Sequence, residues 1–193
     1  LAGLADAYYA LNEYATAVRE LEDAAALSQG NVALRNLEAR IRLARGEIDR
    51  ARELYRSVLQ EQPNNLDARL GSAQLALASG AGSEAARELE LLLRRAPENR
   101  RALLALTLIY QGRGESAAAE RYLRQALRYH SENPQVQLLA GEYRYARDEL
   151  GEARYHAETA LTLSPEFTAA RILLAETLLE LGEAAAAEVQ LRQ

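Results

Sequence analysis

The sequence contains no cysteine, and it also lacks methionine, tryptophan and lysine. Without cysteine, neither a disulfide bond nor a thiolate-bound metal ion can form, and the redox compartment stays open. No apolar run approaches the roughly 18 uninterrupted residues that predict a membrane-spanning helix. Because the chain starts without methionine and partway through a helical pattern, we interpret it as a soluble fragment of a longer protein, either cytoplasmic or periplasmic.

An excess of basic charge is also missing. The net charge is −5, and all 23 basic residues are arginine. A nucleic-acid-binding protein needs a basic stripe to neutralise phosphates, so this class of partner is disfavoured. Apolar residues make up 49% and charged residues 26% of the chain, and the abundant Ala, Leu, Glu and Arg favour helices. The arginine-rich, lysine-free composition indicates a bacterial source.

Catalytic motifs are absent as well. The sequence has two histidines: we expect His130 in a connection between repeats and His156 in a helix. No metalloprotease, nucleophile-elbow or phosphate-loop motif occurs. The glycine-containing segments 80–82 and 112–114 lack the Lys and Ser/Thr of a phosphate site, and we expect the acidic pair 148–149 to be solvated in a turn. We therefore predict no catalytic residue, no metal, no cofactor and no enzymatic activity.

The sequence does contain an internal repeat. Small residues recur every 34 positions along the whole chain, which is the signature of a stacked array of identical units. The glycine series is Gly46, Gly80, Gly114 and Gly182, and the alanine series is Ala17, Ala51, Ala85, Ala119, Ala153 and Ala187. The spacing predicts one array over residues 1–193, with no linker or second domain. Its units are 1–31 (partial), 32–65, 66–99, 100–133, 134–167 and 168–193 (partial).

Each unit contains two amphipathic helices. In the unit 32–65, apolar residues recur at intervals of three and four before Gly46 and again after it. Asn12 and Asp148 replace glycine in this column, and Gly, Asn and Asp are the residues that tolerate a left-handed backbone at the end of a helix. The pattern therefore predicts a tight turn between the two helices of every unit.

These residues resemble the tetratricopeptide repeat family. The unit 100–133 has Leu103, Leu106, Tyr110, Ala119 and Leu123 at the family's signature positions, and other units keep the closing proline. The resemblance covers the whole chain and implies an all-α fold, a right-handed α-solenoid (superhelix) of stacked helix-turn-helix units. Ser72 departs from the pattern, because the family prefers leucine there, and Glu38 departs in the same way.

The resemblance also implies a binding groove, because the first helices of such arrays line the concave wall. Carried onto this sequence, three columns of the first helices supply the expected partner-binding residues. They are Tyr9, Asn36, Arg40, Leu70, Gln74, Leu104, Leu108, Gln111, Leu138, Glu142, Tyr145, Ile172, Glu176 and Leu179. Many are apolar, and a contiguous exposed apolar patch usually marks an interaction site. Leu70, Leu104, Leu138 and Ile172 can equally be half-buried packing residues.

Our leading functional hypothesis is a non-catalytic scaffold that binds an amphipathic helix or an extended peptide of a protein partner. Basic residues of that partner would meet Glu142 and Glu176. A first alternative is self-association through the terminal units, whose apolar flanks lack a polar cap. A second alternative is a scaffold for polysaccharide export, in which Tyr9 and Tyr145 would stack on sugar rings.

Overall fold

The computed structural model describes residues 31–192, together with Thr16, Arg19 and Glu20. Within residues 31–192 the chain forms ten α-helices and no strands. The helices are α1 Val32–Ala44, α2 Ile48–Glu61, α3 Leu66–Ala78, α4 Gly82–Leu93, α5 Arg100–Gly112, α6 Ser116–His130, α7 Pro134–Tyr145, α8 Leu150–Leu163, α9 Thr168–Glu180 and α10 Ala184–Leu191. The described residues divide into two compact units, of which the first ends at Ala102 and the second begins at Leu103. The predicted all-α class of paired helices is confirmed.

The turn inside each helical pair has the predicted left-handed residue. Gly46 has a φ of 77°, and Asp148 has a φ of 61° at the position where the column lacks glycine. The amide after the turn residue donates to the carbonyl five residues earlier, for example Glu47 N to Arg42 O at 2.9 Å. This is the Schellman arrangement, which satisfies carbonyls at the end of a helix. It recurs at the turns after α3, α5, α7 and α9.

Asparagines begin the first helix of four pairs. Asn31, Asn65, Asn99 and Asn133 each accept a backbone N–H of the following turn through the side-chain oxygen. An asparagine in this position satisfies a donor that has no partner inside the helix. In the units defined by the repeat spacing, each of these asparagines is the last residue of a unit, whereas the structure places it at the start of the next helix.

The core of the first unit forms where the helices of neighbouring pairs meet. Leu54, Tyr55 and Val58 of α2 pack with Ala39 of α1 and with Ala68 and Leu75 of α3. In the second unit, α7 packs against α6 and α8, and α9 packs against α8 and α10. Burial of these apolar side chains is the main force that holds the pairs together.

Short side chains lie where the helices approach most closely. Gly141 illustrates the constraint, because an added Cβ would lie 2.7 Å from Leu173 Cδ2. A further column of small residues shares the 34-residue spacing with Gly141, and most described members of this column and of the alanine series are at most 1% exposed. The buried members are Ala39, Ala73, Thr107, Ala175, Ala51, Ala85, Ala119, Ala153 and Ala187. The recurrence of small residues at these positions therefore reflects the close packing of the helices.

Two local predictions are wrong. His130 is the last residue of α6 and not part of a connection, because the helix continues through the basic residues of its last turn. Glu149 is not simply solvated, because its carboxylate pairs with Arg144 and with Arg147, each at 2.8 Å. Hydrogen bonds from Arg147 and Arg144 hold the pKa of Glu149 below its usual value. The acid thus ties the turn to the end of α7.

Candidate functional site

The second unit carries nine of the predicted groove residues on one set of helices. They occupy three equivalent positions, with i, i+4, i+7 spacing, on α5, α7 and α9, which places the three residues of each helix on one side. We call this surface the second-unit face. Its members are Leu104, Leu108, Gln111, Leu138, Glu142, Tyr145, Ile172, Glu176 and Leu179.

The apolar members of the second-unit face differ in exposure. Leu108, Ile172 and Leu179 are 54%, 46% and 53% exposed. Leu104 is half-buried against a core cluster of α6 and α7. Leu138 and Tyr145 are half-buried against the cluster around α9. Leu104, Leu138 and Tyr145 therefore contribute to packing, whereas Leu108, Ile172 and Leu179 leave apolar surface exposed.

The carboxylates of Glu142 and Glu176, together with that of the neighbouring Glu180, give the second-unit face a negative potential. Partial burial, and then the charge of Glu176, raise the pKa of Glu142 above its ordinary value. Burial, and then the charges of Glu180 and Glu176, raise the pKa of Tyr145. Within the described residues, none of the three carboxylates forms an ion pair. Glu180 is absent from the predicted columns, although its position one turn after Glu176 could have revealed it.

The first unit places the other described groove residues around a cleft. Asn36 and Arg40 of α1 lie with Leu70 and Gln74 of α3 along a cleft of about 310 Å³, which we call the first-unit cleft. Leu70 is only 8% exposed, so it contributes to the packing of the cleft wall. The remaining lining residues are Asn31, Ala33, Leu34, Leu37, Tyr55, Asp67, Gly71 and Arg101.

Two features of the first-unit cleft depend on particular residues. An added Cβ at Gly71 would lie 2.1 Å from the ring of Tyr55, so only glycine leaves space for this aromatic wall. Asn36 Nδ2 donates to Asn65 Oδ1 at 3.0 Å, whereas the Oδ1 atom of Asn36 has no hydrogen-bond partner in the described structure. The cleft can therefore accept a hydrogen bond beside an apolar wall.

The remaining predicted residue, Tyr9, lies outside the described residues. The structure thus brings four predicted residues to one cleft and nine to one face, and their role in binding stays a prediction. In the described part of the chain, no cluster of three or more His, Asp or Glu side chains could hold a metal ion. Every described helix is either too short or too polar to span a bilayer.

Paired helices with a left-handed turn, repeated every 34 residues, define a helical repeat protein. Two family models described as tetratricopeptide repeat match the chain, one at residues 42–109 and 144–193 and the other at residues 2–65 and 103–166. The chain belongs to the tetratricopeptide repeat family. Repeats of this family typically mediate protein–protein interactions and are generally not catalytic.

Solved structures with the same fold are similar over nearly the full chain. TTC0263, a tetratricopeptide protein of Thermus thermophilus, is 24% identical with a TM-score of 0.79, covering 92% of this chain and 97% of that one. The type IV pilus biogenesis factor PilW is 21% identical with a TM-score of 0.83, covering 98% and 88%. Pseudomonas aeruginosa pilF is 19% identical with a TM-score of 0.82, covering 99% and 88%. No curated protein matches the chain.

Proposed function

We propose that the chain is a non-catalytic scaffold, and that its second-unit face binds a basic amphipathic helix of a protein partner. The observation that carries the proposal is the combination of exposed Leu108, Ile172 and Leu179 with the carboxylates of Glu142 and Glu176 on one set of helices. A helix with an apolar stripe would cover the three anchors. Arginine or lysine beside that stripe would relieve the repulsion between the two carboxylates.

The half-buried members of the face support this binding mode in a different way. Leu104, Leu138 and Tyr145 are held by packing on the core, so they form a pre-ordered floor that loses little side-chain freedom on binding. We assign Gln111 to the polar rim. In the first-unit cleft, we assign Asn36, Arg40 and Gln74 to polar contacts with an extended peptide segment, and Leu70 to the apolar wall beside it.

The test uses a synthetic helical peptide of about 18 residues with a leucine stripe flanked by arginine, titrated calorimetrically into the protein. We expect binding of this peptide, and no binding of the version in which glutamate replaces every arginine. Leu108→Glu and Leu179→Glu should each weaken binding at least about tenfold, because each places a charge on an apolar anchor.

The matched control is Leu163→Glu, which alters an exposed leucine at the end of α8 and lies outside the second-unit face. This variant should bind like the parent. Equal affinity of the parent and the Leu108→Glu variant, with unchanged circular dichroism, would contradict the assignment of the face. Equal binding of the arginine and glutamate peptides would contradict the electrostatic part.

A second candidate, self-association, is favoured by the last described helix. Val189 and Leu191 of α10 are 53% and 62% exposed, and exposed apolar surface on a helix of a repeat protein can pack against another copy. Light scattering over a hundredfold range of protein concentration tests this candidate. A mass that rises with concentration, and that Val189→Glu returns to the monomer value, supports self-association; a constant monomer mass overturns it.

A further inference from the structure

A cleft between second helices lies apart from the predicted groove residues. It has a volume of about 360 Å³, and its walls come from α2 and α4 above the floor formed by α3. Leu75 of α3 supplies apolar surface at the floor, and Leu59 of α2 supplies it on one wall. Polar and charged side chains make up most of the remaining lining, namely Arg52, Arg56, Gln60, Ser72, Ser79, Glu84 and Glu88. Clefts of this size are typical of small-molecule sites. We call it the α2–α4 cleft.

Ser72 contributes to the opening of the α2–α4 cleft. Two of its equivalents in later repeats, Leu106 and Leu174, are 0% and 4% exposed and fill the space between helices. Serine is much smaller than leucine, so the same position leaves room in this repeat, and Ser72 lines the cleft. Within the described residues its hydroxyl makes no hydrogen bond, and it is therefore available to a ligand.

The two walls carry opposite charges that do not neutralise each other. Arg56 lies on the α2 wall and Glu84 on the α4 wall, and both side chains are exposed. Neither forms an ion pair with any described residue, although each lines the same cleft. A ligand with a carboxylate at one end and an ammonium group at the other would pair with both.

We propose that the α2–α4 cleft binds a small apolar zwitterion, of the class of a dipeptide with aliphatic side chains and free termini. The ligand carboxylate pairs with Arg56, and its ammonium group pairs with Glu84. Its aliphatic side chains cover Leu59 and Leu75, and the Ser72 hydroxyl donates to the peptide carbonyl. This site is independent of the second-unit face, and it takes a different class of ligand.

The test titrates Leu-Leu calorimetrically into the full chain and compares it with N-acetyl-Leu-Leu and Leu-Leu-amide. We expect Leu-Leu to bind, and each modified dipeptide to bind at least about tenfold more weakly, because each has lost one charged hydrogen bond. In the Arg56→Ala variant, Leu-Leu and Leu-Leu-amide should bind equally. In the Glu84→Gln variant, Leu-Leu and N-acetyl-Leu-Leu should bind equally.

Two further variants separate the site from general effects. Ser72→Leu should abolish binding while it raises the melting temperature, since leucine fills the cleft. Arg94→Ala removes an exposed arginine at the end of α4, outside the cleft, and should bind like the parent. Absence of heat with millimolar Leu-Leu, unchanged affinity after either terminus is blocked, or parental affinity of Ser72→Leu would each overturn the proposal.

Discussion

At the scale of the residue, one backbone dihedral determines how each pair of helices turns. Gly182 has a φ of 79°, a conformation that costs an L-residue about 1–2 kcal/mol. We therefore expect Gly182→Ala to lower the free energy of unfolding by about 1–2 kcal/mol in urea denaturation. The matched control is Gly151→Ala in α8, where an added Cβ meets nothing within 4 Å and φ is not positive. It should be neutral or stabilise by up to about 1 kcal/mol, and equal effects of both changes would contradict the explanation.

A second prediction at this scale concerns the pKa of Glu142, which burial and Glu176 raise. The folded chain keeps this proton at pH values at which the unfolded chain has lost it, so ionisation lowers stability as the pH rises through the folded pKa. Glu142→Gln should therefore raise the melting temperature at pH 7, and the difference should disappear below about pH 4. A difference that persists in acid would contradict this cause. Glu166→Gln, in the exposed loop before α9, is the control and should change little at either pH.

The same titration affects binding to the second-unit face. A basic peptide favours the ionised form of Glu142, so its affinity should decrease as the pH falls through the raised pKa of this carboxylate. Calorimetry of the arginine peptide at several pH values measures this dependence. An affinity that is constant through the acid range would show that Glu142 does not contact the partner.

At the scale of the element, asparagine caps set where the first helices begin. Asn65 Oδ1 accepts from Ala68 N and from Asn36 Nδ2, each at 3.0 Å, so it both begins α3 and orients a wall of the first-unit cleft. Asn65→Ala should lower the free energy of unfolding by about 1–2 kcal/mol. The neighbouring Asn64 is exposed in the turn, and Asn64→Ala should cost less than about 0.5 kcal/mol. Equal losses would show that capping is not the cause.

The second prediction at the scale of the element concerns the close packing of neighbouring helices. Ala85 of α4 is fully buried, so a longer side chain would displace its neighbours. Ala85→Leu should lower the free energy of unfolding by about 1–3 kcal/mol in thermal or urea melts. Ala78→Leu, at the exposed end of α3, serves as the control and should change stability little. A melting curve of Ala85→Leu that matches the parent would contradict the packing explanation.

At the scale of the whole molecule, the fold was more predictable than the sites. Turn residues such as Gly46 and Asp148 obey a local requirement on φ, so their spacing predicted where helices end. The two clefts depend on the space that neighbouring helices leave unfilled. From the sequence, Ser72 is only a departure from the expected leucine, and the cleft beside it becomes visible only when the positions of α2 and α4 are known. The charge on the second-unit face was predicted in part, since Glu180 contributes to it from outside the chosen columns.

The net charge of −5 leads to a prediction for the molecule as a whole. Attraction of a basic peptide by an acidic protein is screened by salt, and it contributes mainly to the rate of association. Raising the ionic strength from about 0.05 M to about 0.5 M should therefore slow association of the arginine peptide in stopped-flow measurements, with a smaller change in dissociation. A rate of association that does not change with salt would contradict electrostatic steering.

The Schellman turns have a consequence for how such a chain can evolve. Each described turn between paired helices makes its hydrogen bonds within a few consecutive residues, from the glycine or aspartate and its successor back to the preceding helix. A duplicated gene segment that encodes a whole number of 34-residue repeats includes a complete turn. It therefore requires no compensating change elsewhere. Unequal recombination can therefore lengthen or shorten the protein by entire units, whereas an insertion within those few residues would interrupt the hydrogen bonds of a turn.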